Sequence, residues 1–142
     1  MRSEAAARRR LLLCLLPAVL AAACAADDPD SVVDLDTARA ELAAGRALLV
    51  DIREPAEHAG GVAPGARLIP MRHLAAGLAQ AQADRGRTVL LICQTQNRSS
   101  AAMRALRERG ITDVRYVKGG MSEWTRRGWP LVRPGPFSAS PG

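Results

Sequence analysis

Three short strand-like runs separated by helical patterns constrain the fold of this chain more than any other feature. Ala47–Ile52 and Thr88–Ile92 have the length and composition of buried strands, and Val114–Val117 is predicted as a third strand. Aromatic residues make up only 3% of the chain, so the core must be aliphatic. Because strands that alternate with helices form largely parallel sheets, we predict an α/β fold with helices on both faces of a central sheet.

The helical patterns lie before, between and after these runs. Asp36 or Asp34 can cap the first helix, and Gly45 follows its end. We predict helices over Asp36–Ala44, His73–Ala83 and Ser99–Arg109, and a short helix around Trp124 after a break at Gly119–Gly120. Ligands of such sheets bind at the carboxyl ends of the strands, so the residues that follow Ile92 form the candidate site.

The length of the chain, 142 residues, allows one domain but not two separate cores. We expect this domain to span residues 31–133 and to be a monomer. An acidic tether over residues 24–30 would precede it. The Pro-, Gly- and Ser-rich residues 134–142 would form a disordered tail.

The first 23 residues have the layout of a secretory signal peptide. Arg8, Arg9 and Arg10 precede a short apolar stretch and then small residues. Residues 11–26 include Pro17 and are fewer than the roughly 20 apolar residues that a membrane-spanning helix needs. We therefore expect an exported protein of the bacterial periplasm, with an uncleaved membrane anchor as the alternative.

Cys24 indicates a specific way in which this leader could be processed. The segment Leu20–Cys24 resembles a bacterial lipoprotein box, although Leu20 lies one position too early. We favour lipidation of Cys24, which would anchor the mature protein in a membrane. The alternative is ordinary cleavage after one of the small residues Ala23, Ala25 and Ala26.

The net charge of +6 does not indicate a nucleic-acid partner. Residues 1–23 hold four Arg against one Glu, and no basic run is interleaved with aromatic residues. We expect both histidines, His58 and His73, at the surface. Two distant histidines and one cysteine of the folded part make no metal site, so no metal is expected.

Cys93 directly follows the run Thr88–Ile92, and the polar segment Gln94–Ser99 leads from it into a predicted helix. A strand–loop–helix unit of this kind turns backbone N–H groups and a helix N-terminus inward, which binds anions and favours a thiolate. Arg98 adds a charge that can hold an oxyanion through paired donors. A buried, inert thiol is the alternative, since Cys is among the most buried residue types.

Four segments, in this order, resemble the rhodanese family. Leu49–Glu54 resembles the family's strand that ends in Asp-x-Arg, and Glu57–Pro70 resembles its Gly-His-Ile-Pro-Gly-Ala segment. Cys93–Ser99 resembles the active-site loop, and Tyr116–Trp124 resembles the closing Gly-Gly-x-x-x-Trp segment. The resemblance implies a rhodanese-like fold for this domain.

Four positions depart from the family pattern. Val62 stands where the family usually has His, and Ala63 stands where Ile is common. Gln96 stands where many members have Gly. A positive φ at Gln96 would be strained, because only Gly adopts it freely. Gln94 replaces an Arg found in several members, and we expect the lost charge to weaken the binding of a dianion such as thiosulfate.

The resemblance implies a sulfurtransferase in which Cys93 takes sulfur from a donor such as thiosulfate and carries it as a persulfide. A thiophilic acceptor, cyanide or a thiol, would then remove the sulfur. The residues implied to bind the anion together with Arg98 are Gln94, Thr95, Gln96, Asn97 and Ser99. Asp51 and Arg53 would support them. The expected partners are small sulfur donors and acceptors, and no cofactor is required.

Two other functions are compatible with the same residues. Phosphatases and arsenate reductases related to the family place five residues between Cys and Arg, whereas four lie between Cys93 and Arg98. The smaller ring suits a sulfur atom better than a phosphoryl group. A non-catalytic rhodanese-fold domain that binds or senses sulfur is the second alternative, and the presence of Cys93 argues against it.

Overall fold

The computed structural model describes residues 28–81 and 86–135, in which strands and helices alternate along the chain. The strands are β1 (Val32–Val33), β2 (Ala47–Asp51), β3 (Arg67–Leu68), β4 (Thr88–Ile92) and β5 (Val114–Val117). The helices are α1 (Leu35–Ala43), α2 (Pro55–His58), α3 (Leu74–Ala81), α4 (Asn97–Glu108) and α5 (Gly120–Arg126). A short 3₁₀ turn over Met71–His73 leads into α3.

The strands form one parallel sheet in the order β1-β5-β4-β2-β3. Its centre is the pairing of β2 with β4, which runs from Ala47 opposite Thr88 to Asp51 opposite Ile92. Because all strands point the same way, their carboxyl ends meet at one edge of the sheet. The residues after β2 and β4 therefore lie near each other at that edge.

Alternate residues of the central strands pack against different helices. Leu48 and Leu91 belong to a buried cluster with residues of α3 and α4. Leu49 and Leu90 point the other way and belong to a cluster with residues of α1 and α5. The predicted α/β fold with helices on both faces of a parallel sheet is confirmed.

The predicted element bounds agree closely with the observed ones. β4 and β5 have the predicted ends, and α1 is shifted by one residue because Asp34 caps it by accepting a hydrogen bond from the Thr37 amide at 2.8 Å. α4 begins at Asn97, two residues earlier than predicted, because polar loop residues form its first turn. The predicted helix His73–Ala83 corresponds to α3, and its last two predicted residues lie outside the described residues.

Three short elements were not predicted from the sequence: β1, α2 and β3. β1 and β3 have two residues each and α2 has four, which is too short for a hydrophobic period to show. β1 and β3 are strands because they pair with β5 and β2. Pro55 begins α2, at a position where the missing N–H of proline costs nothing.

The predicted signal peptide, the lipidation site Cys24 and the first part of the tether lie outside the described residues, as does the tail from residue 136. In the ranges that are described, no helix has the length and apolar character needed to cross a membrane.

Candidate active site

Cys93 lies between the end of β4 and the loop that leads into α4. Its side chain is 1% exposed, and its sulfur lies 3.4 Å from the Ser99 hydroxyl oxygen. Ser99 is fully buried, and its hydroxyl also reaches the carbonyl oxygen of Gln96 at 3.1 Å. The hydroxyl has a single hydrogen, so it can donate either to this carbonyl oxygen or to a thiolate or bound sulfur atom at Cys93.

The loop around this thiol carries hydrogen-bond donors without protein partners. Within the described part of the chain, no amide N–H of residues 94–99 donates to another group, and no side chain caps the start of α4. The first amides of a helix have no partner within the helix and attract anions. Residues 94–99 thus present backbone donors and the positive end of a helix dipole beside Cys93.

The loop has no strained residue at Gln96. This residue has φ −164°, which is extended backbone that any residue adopts. The strain considered for a non-glycine residue at this position is therefore not present. The Gln96 side chain instead accepts a hydrogen bond from the Gly119 amide at 3.1 Å, which ties the loop to the start of α5.

α5 holds the loop from the other side. The amides of Met121 and Ser122 donate to the carbonyl oxygens of Cys93 and Gln94 at 2.9 and 2.8 Å. Gly120 has φ +59°, and a Cβ added there would clash with the carbonyl oxygens of Thr95 and Cys93. Only glycine allows this close approach of α5 to the loop.

We expect Gly120→Ala to lower the free energy of unfolding by about 3 kcal/mol. The substitution would force alanine into a left-handed backbone conformation, and its Cβ would also clash with backbone oxygens. The matched control is Gly45→Ala. Gly45 has φ +69°, but a Cβ added there would meet nothing within 4 Å. This control should lose only about 1 kcal/mol. Urea unfolding of both variants measures the difference, and equal losses would show that the close approach at Gly120 is unimportant.

Arg98, in the first turn of α4, forms a two-fold ion pair with Glu57 of α2. Its two terminal nitrogens lie 2.8 and 2.7 Å from the two carboxylate oxygens of Glu57. The hydrogen bonds from Arg98 lower the pKa of Glu57 from its ordinary value of 4.5 to about 2. Glu57 in turn raises the pKa of Arg98, with a smaller contribution from the charge of Cys93. The guanidinium is thus within electrostatic reach of the thiol, but its charge is already paired.

The depressed pKa of Glu57 predicts a loss of stability in acid. As the pH falls, the Glu57 carboxylate is protonated near pH 4.5 in the unfolded chain but only near pH 2 in the folded protein. The stability supplied by the pair is therefore fully present above pH 4.5 and is lost as the pH falls towards 2. Glu57 and Arg98 are 32% and 36% exposed, and solvent limits the contribution to about 1 kcal/mol. Urea unfolding should show Glu57→Gln less stable by that amount at neutral pH, with the difference closing as the pH falls. A constant difference would contradict this assignment.

A second ion pair lies beneath the loop. The buried Asp51 carboxylate accepts hydrogen bonds from the Arg53 guanidinium at 2.7–3.1 Å and from the Arg53 amide at 3.0 Å. Arg53 also contacts the Gln94 side-chain oxygen at 3.4 Å. The pair therefore contacts the loop through Gln94, and the supporting role expected for it stays a prediction.

His58 was expected at the surface, and this prediction was wrong. His58 ends α2 and is 1% exposed, with Nε2 lying 3.4 Å from Asp51 Oδ1. That contact does not have hydrogen-bond geometry, and neither ring nitrogen has a partner among the described residues. The histidine is buried because α2 packs its last residue against the carboxyl end of β2. His73 is exposed, as expected.

The structure brings Cys93, Ser99 and the amides of residues 94–99 together. The Gln94 side chain contacts Ser122 in α5, and the Gln96 side chain contacts Gly119 just before α5. Thr95 and Asn97 are exposed. Sequence reasoning missed Glu57, the partner of Arg98, although Glu57 follows the predicted strand Ala47–Ile52 closely and therefore had to lie near the carboxyl ends of the strands. Among the described residues, no cluster of three or more His, Cys, Asp or Glu could hold a metal.

Comparisons with known proteins agree with this geometry. Residues 34–127 match the family model described as a rhodanese-like domain. The protein named sulfurtransferase from Allochromatium vinosum is 38% identical over 87 residues, which are 61% of this chain and 79% of that protein. The uncharacterized protein slr1261 from Synechocystis is 37% identical over 87 residues, and the match spans only 47% of its length and 61% of this chain.

Solved structures lead to the same assignment. The human single-domain sulfurtransferase TSTD1 superimposes with a TM-score of 0.59 at 32% identity, covering 68% of this chain and 96% of that one. The family match spans strands β2 to β5, the Cys93 loop and α5. The chain therefore belongs to the rhodanese family, whose members similar to it include named sulfurtransferases.

Proposed function

We propose that this protein transfers sulfane sulfur from a small donor such as thiosulfate to a thiophilic acceptor through a persulfide on Cys93. The observation that carries the proposal is the Cys93 thiol, placed beside a loop whose amides at residues 94–99 have no partner among the described residues. Such a loop stabilises negative charge at the sulfur in every state of the reaction.

The transfer takes two steps in which the charges balance. The Cys93 thiolate attacks the outer sulfur of thiosulfate, a new S–S bond forms, and the S–S bond of the donor breaks with its electron pair leaving on sulfite. Cys93 then carries an anionic persulfide. Cyanide, or a thiolate, attacks the terminal sulfur and leaves with it as thiocyanate or a new persulfide, which restores the Cys93 thiolate.

The surrounding residues have separate tasks in this scheme. The loop amides and the Ser99 hydroxyl, 3.4 Å from the sulfur, stabilise the thiolate and the persulfide. Arg98 contributes positive charge at the edge of the loop. The contacts of Arg53 and α5 with the loop hold these hydrogen-bonding groups in place before thiosulfate binds. No free energy is therefore lost in ordering them during the reaction.

Intact-mass analysis after incubation with thiosulfate tests the proposal. We expect one added sulfur atom per chain, located on Cys93 by peptide mapping, and its removal by cyanide. A protein that gains no sulfur would be a non-catalytic domain that binds or senses sulfur, and sulfur located on another cysteine would refute the role of Cys93.

A further inference from the structure

The two arginines at the loop in the described structure, Arg98 and Arg53, are each paired with a carboxylate. Arg98 binds both oxygens of Glu57, and Arg53 binds both oxygens of Asp51. A neighbouring cleft of about 280 Å³, next to Gln96, is likewise balanced. Its charged lining residues are two cations, Lys118 and Arg127, and two anions, Asp34 and Glu123. The residues described around the loop thus provide no net positive charge for a donor.

Glu57 is the carboxylate of this set that acts on the loop directly. It reaches Arg98 across 41 positions of sequence, and it also accepts a hydrogen bond from the Glu54 amide at 2.9 Å, which fixes its position at the start of α2. About a third of each side chain in the pair is exposed, so a donor in solution feels both charges. At every pH at which a thiolate can form, Glu57 is ionised.

We propose that Glu57 is a specificity-determining residue that neutralises Arg98 and makes the site prefer singly charged sulfur donors to dianions such as thiosulfate. This inference rests on the proposed sulfur transfer. A donor with two negative charges is repelled twice as strongly by Glu57 as a donor with one, because the Coulomb energy is proportional to the charge. The preferred donors are therefore monoanionic sulfane compounds, such as organic thiosulfonates.

The two donors for the test differ by one charge and little else. Methanethiosulfonate is thiosulfate with one oxygen replaced by a methyl group, and it transfers the same outer sulfur with sulfinate as the leaving group. We expect Glu57→Gln to raise kcat/KM about tenfold for thiosulfate and about threefold for methanethiosulfonate, mainly through KM. The gap between the two donors should shrink at high salt.

Two further variants separate charge from structure. Glu57→Asp keeps the carboxylate and should keep the wild-type ratio between the donors. Asp113→Asn removes the same charge at the opposite edge of the sheet, where Asp113 accepts a hydrogen bond from Thr88, and it should leave both rates unchanged. Equal changes for the two donors in Glu57→Gln, or a fall for thiosulfate alone, would overturn the proposal.

The reactivity of Cys93 gives a readout that does not depend on sulfur transfer. We expect alkylation of Cys93 by iodoacetate, a monoanion, to become faster in Glu57→Gln than in the wild type at the same neutral pH, because the repelling carboxylate is gone. Alkylation by the neutral reagent iodoacetamide, compared by peptide mass spectrometry, should change less. Equal changes for the two reagents would overturn the role of Glu57. If neither donor loads sulfur onto the wild-type protein while the two reagents differ as expected, the proposed sulfur transfer fails, and with it the donor preference.

Discussion

Cys93→Ser should lose sulfur loading from thiosulfate by at least about 10³-fold, the scale of loss when a covalent nucleophile is removed. A serine hydroxyl stays protonated under conditions in which the thiol ionises, so it cannot attack the donor sulfur. Cys93 is the only cysteine among the described residues, so no other thiol there can form the persulfide. Initial rates of thiocyanate formation, together with intact mass, measure the loss.

The fold must be shown to survive this substitution. The site is buried, but the new hydroxyl lies near that of Ser99, so we expect a stability loss of only about 1–2 kcal/mol. Cys93→Ala, which introduces no polar atom, serves as the second variant, and circular dichroism compares both with the wild type. Thiosulfate:cyanide activity near the wild-type level in folded Cys93→Ser would refute the mechanism.

The parts of this protein that could be predicted from the sequence are those whose secondary structure is determined by the local sequence pattern. Thr88–Ile92 and Val114–Val117 are short runs rich in β-branched and other apolar residues, and each is a strand with the predicted ends. Cys93 could be placed at the carboxyl edge because it follows such a run directly. Local pattern and strand direction were sufficient for these predictions.

The parts that were missed depend on residues distant in sequence. Val32–Val33 forms a strand only through its pairing with β5, and His58 is buried only because α2 packs on β2. Glu57 and Arg98 are 41 positions apart, and neither position alone shows that their charges cancel. Contacts of this kind are decided by packing, which no local pattern records.

Arg98→Ala should reduce kcat/KM for thiosulfate by about 10²–10³-fold, the cost of removing one preorganised charged donor. The loss has two sources. The guanidinium no longer stabilises the Cys93 thiolate, with which it interacts electrostatically, and the carboxylate of Glu57 is left unpaired at the edge of the loop. Stability should fall by only about 1 kcal/mol, since the pair is partly exposed.

Arg104→Ala is the matched control, because Arg104 is exposed further along the same helix, away from the loop. It should keep the wild-type rate, and an unchanged rate in folded Arg98→Ala would show that Arg98 has no part in the reaction. The double variant Arg98→Ala with Glu57→Gln separates the two sources. If the carboxylate of Glu57 repels thiosulfate directly, the double variant should recover about tenfold of the lost thiosulfate activity, which is the gain expected from Glu57→Gln alone, so the two substitutions will be additive. A double variant no more active than Arg98→Ala would place the whole effect on the lost guanidinium, and it would show that Glu57 acts on thiosulfate only through Arg98.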